Sequence, residues 1–315
     1  METLKARFRI VTPMFISGAE QGKAELRLPS VKGALRFWWR AQTLASLNGD
    51  VTELRREEAQ LFGSLDESVG QSKVLLRVHE QSLSFSVQKK WPQNTWEGYV
   101  GYGLIESTGS DQRQFIKAGS TFLLEVGLRK ELSKDEFASL RNAIIALGLI
   151  GGLGGRSRKG WGGLVLEHFE GHGVDWSAPS GEAELRWALD ELFKSGGNKV
   201  PDFTAFSRRA RFELGPVQPS ARDAHRFLAE TYKSVVRDES NKTNREQFGL
   251  PRKGVGTNAN ARRASPVFLH VHEFATGGAV PLAAFLPARF LEAQNEPAGR
   301  EALVEELLHK LAANP

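Results

Sequence analysis

Apolar and polar positions alternate through LKARFRIVTPMFI at the start of the chain. That period predicts a strand over residues 4–12, closed by Pro13. Residues 17–33 carry Gly and Ser without a period. SVKGALRFWWRAQTLASLNG then takes the helical period, with Ser30 placed as N-cap and Gly49 as stop. Strands are expected at 73–80 and 83–89, an irregular stretch with Trp91, Trp96, Tyr99 and Tyr102 over 91–120, and a further strand at 120–129. SKDEFASLRNAIIALGLI is helical, with Ser133 and Glu136 spaced as a capping box. A glycine-rich loop follows it and leads into the strand WGGLVLEHFE. The order is β-α-β-β-α-β, the split βαβ or ferredoxin-like arrangement.

Residues 171–181, GHGVDWSAPSG, read as a linker. Beyond it the pattern predicts a helix in GEAELRWALDELFKS and a strand at 206–214. The amphipathic helix SARDAHRFLAETYKSVVRD follows, then strands at 265–274 and 279–286 joined by Thr-Gly-Gly, and a last helix. The expected fold is α+β, with two tandem ferredoxin-like domains. The first spans residues 1–170; the second, over 182–315, is less complete. The Gly/Asn/Arg-rich segment 248–263 has no period and is expected to be mobile until bound.

The length of 315 residues agrees with two domains. The absence of cysteine excludes a disulfide framework, a thiolate metal site and a cysteine nucleophile. No apolar run is long enough to span a bilayer, and the charged N-terminus does not read as a secretory signal, so a cytoplasmic chain is expected. A net charge of +5 is compatible with a polyanionic partner, but where the charge sits matters more.

Much of it sits in GLIGGLGGRSRKGWGGL, residues 148–164. The glycine spacing is not that of a Walker A loop. A dinucleotide fingerprint begins at Gly152 and Gly154, but Ser157 occupies the third glycine position, and the loop follows a helix instead of opening one. A helix C-terminus repels phosphate. Phosphate contacts would therefore come from turn N–H groups and from Arg156, Arg158 and Lys159, which suits an extended polyanion. The competing reading is a turn whose glycines serve close packing.

On a helical wheel, Ala34, Phe37, Trp38, Ala41, Leu44 and Ala45 form an apolar stripe, with Arg36 and Arg40 one turn apart on the opposite side. Trp38 is expected in the core. Trp39 lies off the stripe, as a boundary residue or a base-stacking platform. Further basic clusters are Arg208, Arg209 and Arg211, then Arg252, Lys253, Arg262 and Arg263. Cations in loops beside aromatic rings suit single-stranded nucleic acid.

Three motifs carry a family resemblance. SVKGALRFWWRA resembles the motif opening the first helix of RAMP proteins, the repeat-associated CRISPR family, and GGLGGRSRKGWGGL resembles their signature glycine loop. FGLP with RRASPVFLHV resembles a second-domain motif of the branch that supplies the first RAMP subunit of the Cmr, or type III-B, effector complex. The Phe-Trp-Trp form of the first motif points to the same branch. The match runs from residue 1 to about 290, and the linker and last helix match no motif. The resemblance implies a subunit at one end of an RNA-guided complex that helps engage target RNA and is not its nuclease. Its partners would be single-stranded RNA, target and possibly guide, and other Cmr subunits, with no membrane and no cofactor. The matching positions are Lys32, Arg36, Arg40, Arg156, Ser157, Arg158, Lys159, Arg262 and Arg263; Trp39 is added from the wheel.

Some RAMP proteins cleave RNA with histidine, so a metal-independent endoribonuclease is the alternative. His270 and His272 share a strand face without an evident third ligand, and read as half-exposed strand histidines. His168 and His172 read as solvated, and His225 as near the RNA. Glu301, Glu305 and Glu306 read as a solvated helix face. No catalytic residue and no metal site are assigned.

Overall fold

The computed structural model describes residues 2–64, 71–105, 109–194, 196–197, 203–249, 264–289 and 301–313. The fold is α+β with antiparallel sheets. Five strands form the larger sheet: β1 (Thr3–Ile10), β2 (Val74–Ser82), β5 (Thr121–Leu128), β6 (Leu164–Gly171) and β7 (Val174–Ser177). Their order is β2-β5-β1-β6-β7. A hairpin of β3 (Phe85–Lys89) and β4 (Gln112–Ile116) stands apart as a two-stranded sheet and carries the short helix α3 (Trp96–Val100) between its strands. The stretch expected as irregular therefore holds a helix and a strand. Residues 171–181, expected as a linker, hold β7, which pairs with β6 and widens the sheet.

Three helices cover one face of this sheet or flank it: α1 (Leu28–Ser46), α2 (Val51–Phe62) and α4 (Lys134–Leu149). Helix α1 starts before Ser30: its N-cap is Arg27, without a side-chain cap, and Pro29 in the first turn presets the helical φ. Helix α2 is absent from the sequence reading. Asp50 caps it by accepting from the Thr52 and Glu53 N–H groups, and Leu54, Glu58 and Leu61 face inward. The Ser133–Glu136 capping box opens α4 as expected.

In the second half, α5 (Glu182–Phe193) is followed by β8 (Arg211–Leu214), α6 (Ala221–Arg237), a 3-10 stretch at Glu239–Phe248, β9 (Val267–Glu273), β10 (Ala279–Phe285) and α7 (Ala302–Ala313). Their sheet runs β8-β10-β9, all antiparallel. The Thr-Gly-Gly hairpin is present, with Gly277 and Gly278 at positive φ. The halves share one core: Trp38 on α1 packs against Phe206 and Phe268, and Phe37 against Phe268. Among the described residues no helix is long and apolar enough to cross a membrane.

Candidate nucleic-acid interface

Helix α1 turns Lys32, Arg36 and Arg40 toward α2, where one carboxylate binds the two arginines and a backbone carbonyl binds the lysine. Arg36 Nε donates to Glu58 Oε1 at 2.6 Å, and an Arg40 guanidinium nitrogen donates to the same oxygen. The Glu58 side chain is only 8% exposed, whereas the two arginines are 37% and 34% exposed. Lys32 Nζ donates to the Phe62 carbonyl at 2.8 Å. Burial, and then the neighbouring Arg36 guanidinium, push the Lys32 ammonium below its usual pKa. Arg55 and Arg129 complete the rim of a groove of about 830 Å³. Lys32, Arg36, Arg55 and Arg129 thus face a groove in which Glu58 is the carboxylate among the described residues.

Trp39 does not face this groove. It is 2% exposed, its indole meets Phe62 of α2 edge-on, and its Nε1 donates to Ser139 of α4 at 2.9 Å. A base cannot stack on a ring covered by two helices, so the stacking role is corrected to a core role. Trp38 is equally buried, as expected.

The glycine loop is mainly a seam. Gly154 has φ of +84°, and a Cβ there would lie 2.5 Å from the Phe15 carbonyl oxygen, so only glycine fits. The loop joins the second half through a parallel bridge between Lys159 and Leu269, with Leu269 N–H donating to the Arg158 carbonyl. Arg158 donates to the Ser265 carbonyl and lies over the Phe268 and Phe37 rings. The Lys159 ammonium is buried 3.8 Å from the Tyr232 ring centroid. Both cations were expected to meet phosphate; both instead hold the halves together. Ser157 is half-buried, and its carbonyl accepts from Gly160 N–H. Arg156 differs: it is exposed, sits at a positive φ of 58°, and donates through Nε to the carbonyl of the exposed Tyr102. A non-glycine residue in that region is strained, and such strain is often kept at a binding position. Arg252, Lys253, Arg262 and Arg263 lie outside the described residues.

The remaining candidates have structural partners. Arg209 and Arg211 both bond Glu301 of the chain's last helical segment, and Arg211 also lies 3.3 Å from Glu305. Glu306 binds Lys310 and Asn241. Those acids form a paired face in place of the expected solvated one. His270 and His272, expected half-exposed, are 1% and 0% exposed; His225 is 1% exposed, with Nε2 2.9 Å from the Lys159 carbonyl oxygen. Burial pushes His225 and His272 down to about 4 and His270 to about 3, so all three rings are neutral at pH 7. Among the described residues no three His, Asp or Glu side chains come together in a way that would hold a metal.

A second concavity lies between the β3–β4 hairpin, α3, the glycine loop and the start of α6. It is lined by Trp91, Trp96, Trp161, Phe15, Phe115 and Arg222, among others, and holds about 540 Å³.

Comparison with known proteins fits this geometry into a family. A family model described as the RAMP superfamily matches residues 7–165, half of the chain. The chain belongs to the RAMP superfamily. This RAMP chain is 28% identical over 270 residues to the CRISPR system Cmr subunit Cmr1-1 of Pyrococcus furiosus, covering 79% of this chain and 77% of that one. It is 25% identical over 173 residues to Cmr1-2 of the same organism, covering 50% and 91%. Its fold is similar to apo Cmr1 from Pyrococcus furiosus, with a TM-score of 0.67, 22% identity, and 99% and 97% of the two chains covered. It is also similar to a chain of the type III-B Cmr-beta complex bound to cognate target RNA, with a TM-score of 0.65, 12% identity, and 98% and 99% covered.

The RAMP match takes in α1 and the whole glycine loop, the two regions where the sequence motifs lie. Sequence reasoning did not single out Arg55, because it did not find α2, nor Arg129, which follows β5 and meets the groove only through the tertiary structure. The signal was there: Asp50 in N-cap position, followed by Leu54, Glu58 and Leu61 on one helical face. Nor did it bring Trp91, Trp96 and Trp161 together, since two lie in the inserted hairpin and one in the glycine loop.

Proposed function

We propose that this RAMP chain is an RNA-binding subunit of a type III-B, Cmr-type CRISPR effector complex, and that it engages target RNA without cutting it. The observation that carries the reading is the α1–α2 groove, lined among the described residues by Lys32, Arg36, Arg55 and Arg129, with Glu58 as the carboxylate. Burial first, and then the neighbouring Arg36, lower the Lys32 pKa, and an incoming anion would favour its charged form. A shallow, open groove lined by long side chains fits an extended phosphate backbone. The curated relatives are Cmr subunits, and one structural neighbour belongs to a complex bound to cognate target RNA, which supports the same assignment. Exposed Arg156 beside exposed Tyr102 offers a further backbone contact.

The strand orders support two ferredoxin-like units. Setting the β3–β4 insertion aside, β2-β5-β1-β6 is the split βαβ order, and β8-β10-β9 is the same order without its fourth strand. We place these units at 1–170 and 182–315, with β7 carried on the edge of the first. The non-catalytic part of the proposal rests on the histidines: His270 and His272 are buried in the core, and His225, although it borders the aromatic cleft, is 1% exposed with Nε2 held at the Lys159 carbonyl.

The test uses residues that hold no buried carboxylate. Arg55→Ala with Arg129→Ala is expected to weaken single-stranded RNA binding for every sequence alike, and to reduce the salt slope by about 0.7 per lost contact. Unchanged affinity and slope in a filter-binding titration refute the groove assignment. A cleavage time course of the parent chain with labelled RNA, with and without EDTA, should show no product; a specific product would revive the endoribonuclease reading.

A further inference from the structure

The aromatic cleft is not absorbed by the phosphate groove. Three indoles pack on one another in its lining: Trp91 and Trp161 stack with centroids 5.0 Å apart at 29°, and Trp96 and Trp161 with centroids 6.1 Å apart at 13°. Trp161 is 2% exposed, and its Nε1–H has no hydrogen-bond partner among the described residues. An indole N–H can only donate, and a buried donor left without an acceptor is unfavourable. At the rim stands Arg222, 79% exposed and 3.2 Å from the Glu97 carboxylate, which is itself 16% exposed.

We propose that this cleft receives one unstacked nucleobase. The base lies against the Trp91 and Trp96 indoles, and a base carbonyl or ring nitrogen accepts from Trp161 Nε1. Its phosphate draws Arg222 away from Glu97, which frees that carboxylate to accept from the amino groups of the base. Aromatic faces take any base, and a cleft of about 540 Å³ is of the size that takes a small ligand such as a base with its sugar. An apolar peptide side chain would supply neither an acceptor for the indole nor a charge for Arg222. The choice of a base as the flat group rests on the RNA-binding reading above. The same chemistry could come from a base of bound RNA or from a free mononucleotide.

The experiment follows intrinsic tryptophan fluorescence of the full chain during titration with 5′-mononucleotides and, separately, with short single-stranded RNA. Saturable quenching is expected, weakened about tenfold by Trp161→Phe, which keeps a ring but removes the donor. That variant is expected to melt lower, because phenylalanine leaves a gap where the buried indole packs against Phe15, Trp91 and Trp96, so binding is compared at a temperature where both chains are folded. Arg222→Ala should weaken nucleotides but leave nucleosides unaffected. A Trp161→Phe-sensitive response to RNA alone identifies an RNA base as the occupant. A sensitive response to mononucleotides alone identifies a free nucleotide, and supports the cleft while counting against the RNA reading. The Arg55→Ala, Arg129→Ala chain separates the two proposals further: it should lose RNA affinity yet keep the mononucleotide response. Equal responses of parent and Trp161→Phe to both probes overturn the proposal.

Discussion

Lowering the pH from 7 to about 5.5 is expected to remove about 4 kcal/mol of folding stability, through three buried histidines. Desolvation dominates at each. At His270 the neighbouring His272 adds to it, while a hydrogen bond with the Gly151 backbone opposes it. At His272 the Arg9 guanidinium adds to it in the same way. The unfolded chain takes up a proton on each ring below about pH 6.5, whereas the folded chain refuses them until about pH 4 or lower. Between those limits the unfolded state binds more protons, so stability falls as pH falls, by about 1.4 kcal/mol per unit per histidine. Carboxylates with depressed pKa values, such as Glu136, add their own loss only at lower pH, so the window above about pH 5 reports the histidines. Urea midpoints measured at half-unit steps from pH 7.5 check this. A His225→Gln chain should lose about one third of the slope. A flat profile across the window would show that the three rings are not neutral and buried as described.

Replacing Arg36 and Arg40 together by alanine is expected to cost about 3 kcal/mol of stability, before any effect on RNA. The reason is Glu58: its carboxylate is 8% exposed and both arginines bond one of its oxygens. Without them a buried charge is left uncompensated. The arginines are themselves about one-third exposed, which places the loss at the low end for a broken buried pair. Adding Glu58→Gln to the double variant should recover most of the loss, because a neutral amide is cheaper to bury than a lone carboxylate. Denaturant titration of parent, double and triple variants decides it. A double variant within about 0.5 kcal/mol of the parent would mean that the clamp contributes nothing measurable. It follows that RNA-binding losses in an Arg36, Arg40 variant cannot be read without the triple variant beside it.

Several elements were legible from neighbouring residues alone. The Ser133–Glu136 box opens α4 because its two hydrogen bonds span three residues. The β9–β10 hairpin forms where Gly277 and Gly278 allow positive φ. The alternation of β1 and the period of α1 depend only on backbone geometry. The glycine loop was placed correctly between α4 and β6, and its reading as a packing turn is the one that Arg158 and Lys159 follow.

What these residues touch was decided at longer range. Trp39 is covered because α2 and α4 close over it, and its hydrogen-bond partner Ser139 is 100 residues away. Arg158 meets Ser265 across 107 residues, and Arg209 and Arg211 find Glu301 about ninety residues on. His270 and His272 alternate on their strand as a half-exposed pair would. They are buried because both faces of β9 are covered, one by α6 and the other by the glycine seam and the core it closes. A local period reports which residues share a face; it cannot report how many faces are covered. The sequence by itself therefore determined most of the long elements, though not α2, α3, β4 or β7, together with the basic excess and the family motifs. Only the packing of one half on the other decided which cations remain at the surface and which serve as internal ties, because burial depends on partners that no local pattern encodes.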